Sequence, residues 1–285
     1  MRLPSNGPPR ILPLACSLLL ALVLAPGCSS ADDAAPRGGG VADAGLDAPV
    51  DESPADAPAT DAPSDAGAEP SLPCPADMVD LGGFCIDRYE APNREGALPL
   101  VMYTFVEAAS WCQARDKRLC FDDEWTTACE GPALTSYPYG DTHQPGVCND
   151  DQVWRVYNQT KLDGWPWNLP ASTFDTLADL LDAARQTSNA GAVAADEVQA
   201  LYQGSPSGAH GGCTNSDGAF DLCGNVEEWT RRRDGGSPDF HGSLKGRYWA
   251  EARTCQSAVT THGDAFRFYE IGFRCCRDPL PLAEP

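Results

Sequence analysis

The chain has 285 residues and a formal net charge of −21 at pH 7, with 20 basic and 41 acidic residues. Because nucleic acids and anionic membrane surfaces repel such a charge, the composition argues against both as partners, and it disfavours acidic substrates. A hydrophobic content of 42% is enough for one sizeable core, whereas 25 Pro and 27 Gly indicate a loop-rich domain together with an unfolded part.

The N-terminal segment predicts export. Arg2 and Arg10 precede an apolar run over residues 11–25, which is too short to span about 30 Å of hydrocarbon comfortably. The run leads into Leu-Ala-Pro-Gly-Cys, which resembles the cleavage box of bacterial lipoproteins and implies a lipid on Cys28 that anchors the chain in the cell envelope. No acidic residue follows directly, which favours the outer membrane. The alternative is an ordinary secretory signal that ends near a free cysteine.

Residues 29–73 are predicted to form a tether. They contain no aromatic residue, and ten acidic residues stand against one basic residue, Arg37. Such a segment buries too little apolar surface to offset the entropy of ordering, and charge repulsion with repeated Asp-Ala-Pro units keeps it extended. An acidic tail that binds a partner is the alternative.

The folded domain is predicted to span residues 74–285 and to begin with a hairpin. Residues 78–81 and 84–87 alternate in polarity on either side of Gly82-Gly83, as two short strands joined by a turn do. A bridge between Cys74 and Cys85 could hold this hairpin. The pattern therefore predicts that the domain starts on an edge of a sheet.

Two amphipathic helices are predicted to follow. Thr104 and Glu107 form a capping box, and apolar residues recur at helical spacing from there to Cys112. The carboxylates at 122–124 favour the positive end of a second helix. In that helix Asp122 is expected to act as the cap and Trp125 to face the core.

Residues 150–212 are predicted to be a helical insertion. One amphipathic helix is marked by Leu177, Leu180, Leu181 and Ala184, and a second, stopped by Gly204, by Val198, Leu201 and Tyr202. We expect these helices to pack over an open face of the domain, with three tryptophans as anchors, Trp154, Trp165 and Trp167. The alternative is that these tryptophans line a groove for a sugar or a peptide.

Four segments, in this order, resemble the sulfatase-modifying-factor family, which includes the formylglycine-generating enzymes. They are MVDLGGFCIDRYEAPN at 78–93, the segment 108–140 with WC, KRL, DEW and YPYG, the stretch 214–229 that ends in GNVEEW, and GFRC at 272–275. The resemblance covers about residues 74–278. It implies an α+β, C-type-lectin-like domain with little regular secondary structure, braced by disulfides.

The cysteines predict a disulfide framework. Eleven of the 13 lie between residues 74 and 276, and in an exported chain this density favours bridges over a metal cluster. The resemblance implies two of them, Cys112 with Cys275 and Cys129 with Cys255. Closeness in sequence suggests two more, Cys120 with Cys148 and Cys213 with Cys223. Cys276 is then the candidate for the unpaired cysteine.

Structural calcium is also implied by the resemblance. The second calcium site of the family corresponds to Asn215, Ser216, Gly218 and Phe220, and the first begins at Asn149 and Asp150. Oxygen-bearing side chains and glycines suit a loop around a hard cation, although the spacing is not that of an EF-hand. The alternative is an Asx-turn that leads into the core without an ion.

Copper is not expected. In formylglycine-generating enzymes two redox cysteines lie just before the equivalent of Cys255, where soft thiolates hold copper(I). No cysteine occurs here between Cys223 and Cys255, and Ala250 falls near one of the positions. The four histidines are scattered along the sequence, so a catalytic iron is not expected either.

The resemblance places a cleft at Tyr248, Trp249, Arg253 and Arg274. We therefore expect a lipid-anchored protein that binds an unknown protein or glycan there without catalysis. One alternative is a formylglycine-generating or related tailoring enzyme with a diverged centre, and another is a purely structural component of the envelope.

Overall fold

A computed structural model describes residues 74–279, so the predicted export signal, Cys28 and the tether lie outside the described residues. The strands are β1 (Met78–Asp80), β2 (Cys85–Asp87), β3 (Arg118–Leu119), β4 (Glu227–Arg231), β5 (Gly242–Lys245), β6 (Ile271–Phe273) and β7 (Cys275–Arg277). The helices are α1 (Phe105–Gln113), α2 (Asp122–Glu130), α3 (Gln159–Leu162), α4 (Leu177–Thr187) and α5 (Asn189–Leu201). Within residues 74–279, none of these helices is long and apolar enough to cross a membrane.

The predicted hairpin is present in a four-stranded sheet with the order β1-β2-β7-β3. Strands β1 and β2 pair antiparallel, with Val79 opposite Ile86, and both side chains are buried. Strand β7, from the other end of the domain, pairs with both β2 and β3. The two ends of the domain are therefore joined in one sheet.

A second sheet of three strands has the order β5-β4-β6. Strand β4 runs antiparallel to β5 and parallel to β6, so that Trp229 lies beside both Leu244 and Phe273. Because β4 and β6 are parallel, both begin at one edge of the sheet, and the antiparallel β5 ends there. We call this the acid edge; it carries Glu227 at the start of β4, Glu270 just before β6, and Arg247 just after β5.

Helix α1 has the predicted capping box: Oε2 of Glu107 accepts from the backbone nitrogen of Thr104 at 2.9 Å, and the hydroxyl of Thr104 accepts from the backbone nitrogen of Glu107 at 3.2 Å. The prediction of Asp122 as the cap of α2 is wrong by one residue. Phe121 is the cap residue, and its backbone nitrogen donates to Glu124 at 2.9 Å. Glu124 thus supplies the reciprocal half of a capping box, and Oδ1 of Asp123 accepts from the backbone nitrogen of Glu124 at 2.9 Å, which a cap side chain would otherwise do.

Helices α4 and α5 occur where the sequence predicts them, and the leucines of α4 face the core. Only one of the three tryptophans is an anchor. Trp165 is 4% exposed and packs in the core, whereas Trp154 and Trp167 are 40% and 67% exposed. Trp167 instead lies on the guanidinium of Arg267 at the surface, 4.3 Å from ring centroid to Cζ.

Five disulfides brace the described residues. The predicted bridges Cys74–Cys85, Cys112–Cys275 and Cys129–Cys255 are present. The other two differ from the prediction and are Cys120–Cys276 and Cys148–Cys213, which leaves Cys223 as the unpaired cysteine within residues 74–279. Pairing of β3 with β7 places Arg118 opposite Cys276, and Cys120, just after β3, has its Cα atom 4.6 Å from that of Cys276. Successive residues of a strand face opposite sides, so Cys275 and Cys276 reach different partners.

Candidate functional site

Asn215, at the start of the predicted calcium loop, closes an Asx-turn. Its Oδ1 accepts hydrogen bonds from the backbone nitrogens of Asp217 at 3.0 Å and Ala219 at 2.9 Å. Its Nδ2 donates to the backbone oxygen of Ala128 at 2.7 Å. The side chain of Asn215 is thus committed to the protein backbone, which is the arrangement that the sequence left open as the alternative to an ion.

Two arginines occupy the backbone oxygens on which a calcium ion in this loop would depend. The oxygen of Gly218 accepts from Nη1 of Arg88 at 2.9 Å, and that of Phe220 accepts from Nη2 of Arg274 at 2.8 Å. Ser216, the remaining predicted ligand, is exposed. Because two guanidinium charges would repel a divalent cation, the 215–220 loop does not fit calcium.

The predicted first calcium loop differs from the 215–220 loop because it contains buried side-chain oxygens that have no hydrogen-bond partner within residues 74–279. Asn149 and Asp150 are 1% and 5% exposed, and the Oδ1 atom of each has no hydrogen-bond partner among the residues that the structure describes. Oε1 of Gln203 is equally unpaired, and the backbone oxygen of Gln203 accepts from Nδ2 of Asn149 at 3.0 Å. Calcium takes about six to eight oxygen ligands, and these three residues offer one unpaired side-chain oxygen each. The other carboxylate oxygen of Asp150 lies 2.9 Å from Nε2 of His143.

Arg274 is a core residue rather than part of a cleft. It is fully buried, and its guanidinium binds both carboxylate oxygens of Glu228 at 2.8–3.0 Å. Nε1 of Trp125 donates to the same carboxylate at 2.8 Å. Burial opposes the charge, but Glu228 holds the pKa of Arg274 above its ordinary value. The predicted role of Arg274 in a binding cleft is therefore wrong.

Trp249 is also buried, because the insertion covers it. The ring of Tyr202, at the end of α5, packs edge-on against it with centroids 5.2 Å apart. The backbone nitrogen of Gln152 donates to the backbone oxygen of Trp249 at 2.8 Å. Of the four predicted cleft residues, only Tyr248, half-buried, and Arg253, exposed, reach the surface. The predicted cleft is thus closed by the insertion.

The acid edge brings two buried carboxyl groups together. Glu227 and Glu270 are 3% and 8% exposed, and the backbone nitrogen of Glu227 donates to the backbone oxygen of Glu270 at 2.9 Å. Arg247 binds Glu227 through Nη1 at 3.0 Å and also binds Glu251. Its backbone has φ of 61°, a left-handed conformation that is uncommon for a residue with a side chain.

The carboxyl group of Glu270 has an unusual pKa. Burial, and then the negative charge of Glu227, raise it to about 8, while the charge of Arg247 and the side chains of Tyr269 and Trp154 oppose the shift. Burial also raises the pKa of Glu227, with Arg247 opposing the shift. Oε2 of Glu270 is buried without a hydrogen-bond partner within residues 74–279. Glu270 is therefore mostly protonated at neutral pH and has an oxygen available to a ligand or a proton acceptor.

Aromatic side chains surround this carboxyl group. Tyr269 precedes it in the chain, and the ring of Tyr157 lies 6.3 Å from that of Tyr269 and 5.8 Å from that of Trp154. Burial and the Glu270 charge raise the pKa of Tyr248 to about 12. Tyr157 and Trp154 are 36% and 40% exposed, so this side of the acid edge reaches solvent.

The sequence did not single out Glu227 and Glu270 as a pair. Each precedes or begins a short buried strand, and an acidic residue at such a position is the one signal that could have identified it. The two lie 43 residues apart by residue number, and only the parallel pairing of β4 with β6 joins them. Local pattern alone does not reveal that pairing.

The described residues offer no accessible thiol. Ten of their cysteines are in disulfides, and Cys223 is buried. Burial, and then the Asp150 charge, raise the pKa of the Cys223 thiol to about 12. Copper(I) is held by thiolates, and these cysteines offer none at the surface. They therefore do not fit the copper site of formylglycine-generating enzymes.

The family model described as "Sulfatase-modifying factor enzyme 1-like domain" matches residues 77–279. This range is most of the chain, and the chain belongs to that family, with the mixed helix-and-sheet, disulfide-braced fold that the sequence predicts. Comparison with curated proteins gave no match.

Three solved structures show the extent of the structural likeness. "Crystal Structure of CarF" has 14% identity, covering 68% of this chain and 86% of that one, with a TM-score of 0.45. "Structure of PvdO from Pseudomonas aeruginosa" has 14% identity, with coverages of 76% and 88% and a TM-score of 0.41. "Major Tropism Determinant U1 Variant" has 15% identity, coverages of 75% and 55%, and a TM-score of 0.39. With TM-scores below 0.5, we draw nothing about function from them.

Proposed function

We propose that this protein is a lipid-anchored envelope protein whose family domain binds a cationic ligand at the acid edge and does not carry out copper-dependent oxidation. The observation that supports this proposal most is Oε2 of Glu270, which is buried and has no hydrogen-bond partner within residues 74–279, beside exposed aromatic rings. A buried carboxylate oxygen without a partner costs free energy, and the positive charge of a bound cation offsets that cost.

A positive charge is the ligand chemistry that suits this surface. A carboxylate attracts a cation directly, and the faces of Trp154 and Tyr157 attract it through their ring quadrupoles. The formal charge of −21 adds a long-range attraction for cations. A substituted ammonium group, such as that of an amine-bearing peptide or small molecule, therefore fits better than an anion.

Absence of the thiolate donor set separates this domain from a formylglycine-generating enzyme. A half-buried alanine, Ala250, stands near a family cysteine position, and Cys223 is protonated and enclosed.

A second candidate function is supported by the raised pKa of Glu270, since a carboxyl group that titrates near pH 8 can take up and release protons in a tailoring reaction. Such an enzyme would work by proton transfer at Glu270 rather than through cysteines.

A structural calcium ion at Asn149 and Asp150 belongs to the same proposal. Each of these residues and Gln203 has a buried oxygen without a partner within residues 74–279, and oxygens are the ligands that calcium takes. The backbone oxygen of Asn149 accepts from the backbone nitrogen of Asn225 at 2.7 Å, two residues before β4. An ion here would stabilise the loop that leads into the acid edge.

The ligand class is tested by calorimetric titration of the mature protein, in detergent micelles, with benzyltrimethylammonium. We expect saturable binding of this cation and none of benzyl alcohol, which has the ring but no charge. Trp154→Ala should weaken binding by about tenfold, because a desolvated cation–π contact is worth roughly 1–2 kcal/mol. Equal binding of the charged and the neutral compound would contradict the proposal.

A further inference from the structure

A cavity of about 370 Å³ lies between α3 and residues 265–268. Its wall is largely aromatic and apolar, with Leu162, Trp165, Trp167, Phe266 and Phe268. Helix α3 and both tryptophans come from the insertion, so the insertion forms one side of the cavity. A concave site of this size, mostly apolar with a few polar groups, is typical of a small-molecule site. It is lined by other residues than the acid edge.

Arg267, in the lining, is incompletely paired. Its side chain is 9% exposed, and within residues 74–279 its Nε has no hydrogen-bond partner. Its ion pair with Glu107 is long, at 3.3 Å from Nη2 to Oε1, and Glu107 also caps α1. Burial lowers the pKa of Arg267, and Glu107 opposes the shift. A buried donor in this condition would be satisfied by an acceptor atom on a ligand.

The rim of the cavity supplies a platform and two further polar groups. Trp167 is 67% exposed, so the part of its ring that Arg267 leaves uncovered is open to a stacking partner. Nε2 of Gln159 donates to Oδ1 of Asp163 at 2.7 Å, which fixes the two side chains relative to each other. An amide and a carboxylate held side by side in this way can bind two neighbouring hydroxyl groups of a ligand.

We propose that this cavity binds a neutral sugar ring of a glycan. The aromatic wall stacks on the apolar face of a pyranose, Arg267 donates to a ring or hydroxyl oxygen, and Gln159 and Asp163 bind hydroxyls. Arg267 and Asp163 contribute one charge of each sign, so a neutral ring fits better than an anionic or cationic one. A sugar has hydroxyl groups that can pair with Gln159 and Asp163. A plain aromatic compound has none and would leave these two side chains without a ligand partner.

The test is a titration of the mature protein, in detergent micelles, followed by tryptophan fluorescence and saturation-transfer NMR. The probes are four neutral sugars: methyl glucoside, methyl galactoside, methyl mannoside and N-acetylglucosamine. We expect at least one to saturate with a Kd of about 1 to 10 mM, as single sugar rings with few contacts do, and to bind more tightly than sodium glucuronate. Saturation by none of the four, or tighter binding of glucuronate, would overturn the proposal.

Matched variants locate the site. Trp167→Ala should weaken binding by about tenfold through loss of stacking, and it should fold normally because the ring is exposed. Asp163→Ala, also at an exposed position, should weaken binding as well. Leu134→Ala removes an exposed side chain outside the cavity lining and should leave sugar binding unchanged. Wild-type binding by a folded Trp167→Ala protein, or equal weakening by Leu134→Ala, would place the sugar elsewhere and contradict the proposal.

Discussion

The backbone oxygen of Phe220 accepts a hydrogen bond from Nη2 of Arg274 at 2.8 Å. The sequence predicts separate tasks for these residues, calcium binding for one and ligand binding for the other. In the fold they satisfy each other inside the core, where Glu228 neutralises the guanidinium. The guanidinium of a buried arginine thus binds one of the backbone oxygens that the family resemblance implied for a divalent ion.

Replacing Arg274 with Met should destabilise the domain by roughly 3–5 kcal/mol, because it leaves the buried carboxylate of Glu228 without its counter-charge. Arg253→Met is the control, since Arg253 is exposed and its pair with Glu251 is worth about 1 kcal/mol or less. Chemical denaturation of both variants gives the difference. Equal, small losses would mean that Arg274 is not held in the core.

Calcium should raise the melting temperature through the Asn149–Asp150 loop. At 100 times its dissociation constant the ion would stabilise the fold by about 2.7 kcal/mol. Asp150→Asn removes a ligand charge and should abolish the response to calcium and to chelation. Asp217→Asn, at an exposed position in the 215–220 loop, should leave both responses intact. The opposite pattern, with Asp217 required and Asp150 dispensable, would contradict the assignment.

Cys223 should be the domain cysteine that reacts only after unfolding. With a pKa raised to about 12 by burial, about one in ten thousand of these thiols is ionised at pH 8. Iodoacetamide should therefore leave Cys223 unmodified in the folded protein and label it in denaturant without reductant. A non-reducing peptide map should recover Cys120 linked to Cys276. Labelling of Cys276 instead would restore the pairing that sequence proximity suggested.

Features that depend on neighbouring residues were predictable from the sequence. The capping box of Thr104 and Glu107 and the buried stripe of α4 follow from spacings of three and four residues, and the structure has both. The family resemblance supplied two long-range bridges, including Cys112–Cys275. Cys120–Cys276, which closes 156 residues, depends on the pairing of β3 with β7, and residue spacing does not encode that pairing.

The candidate site was less predictable for the same reason. Tyr248 and Arg253 are near the surface as expected, but burial of Trp249 depends on how the insertion docks, which an amphipathic pattern does not specify. The insertion pattern gives the buried face of each helix without naming the surface that the helix covers. Glu227 and Glu270 meet through sheet topology in the same way.

Lipidation of Cys28 remains a prediction from the sequence. If the residue is acylated, the mature protein should partition into detergent and incorporate labelled palmitate, because each buried methylene contributes about 0.8 kcal/mol. Cys28→Ala should release the protein into the aqueous phase without label. Membrane-bound, labelled Cys28→Ala protein would contradict the lipoprotein interpretation.

Glu270 should make cation binding depend on pH between 6 and 8. In the free protein its carboxyl group has a pKa of about 8, and a bound cation favours the ionised form. Below pH 8 the cation must therefore displace a proton, so affinity rises with pH. Arg247 stays charged throughout, and the pKa of His262 is lowered by burial and by Arg247. The pKa values of Tyr248 and Tyr269 are raised, so neither tyrosine is expected to ionise in this range.

The most direct measurement is the affinity of benzyltrimethylammonium, which keeps its charge at every pH, for wild-type protein and Glu270→Gln from pH 6 to pH 9. For the wild type we expect affinity to rise by up to about tenfold per pH unit as far as pH 8 and then to level off, since one proton is displaced. Glu270→Gln should bind weakly at every pH. Wild-type affinity that is independent of pH, or a variant that binds as tightly as the wild type at pH 9, would contradict cation binding at Glu270.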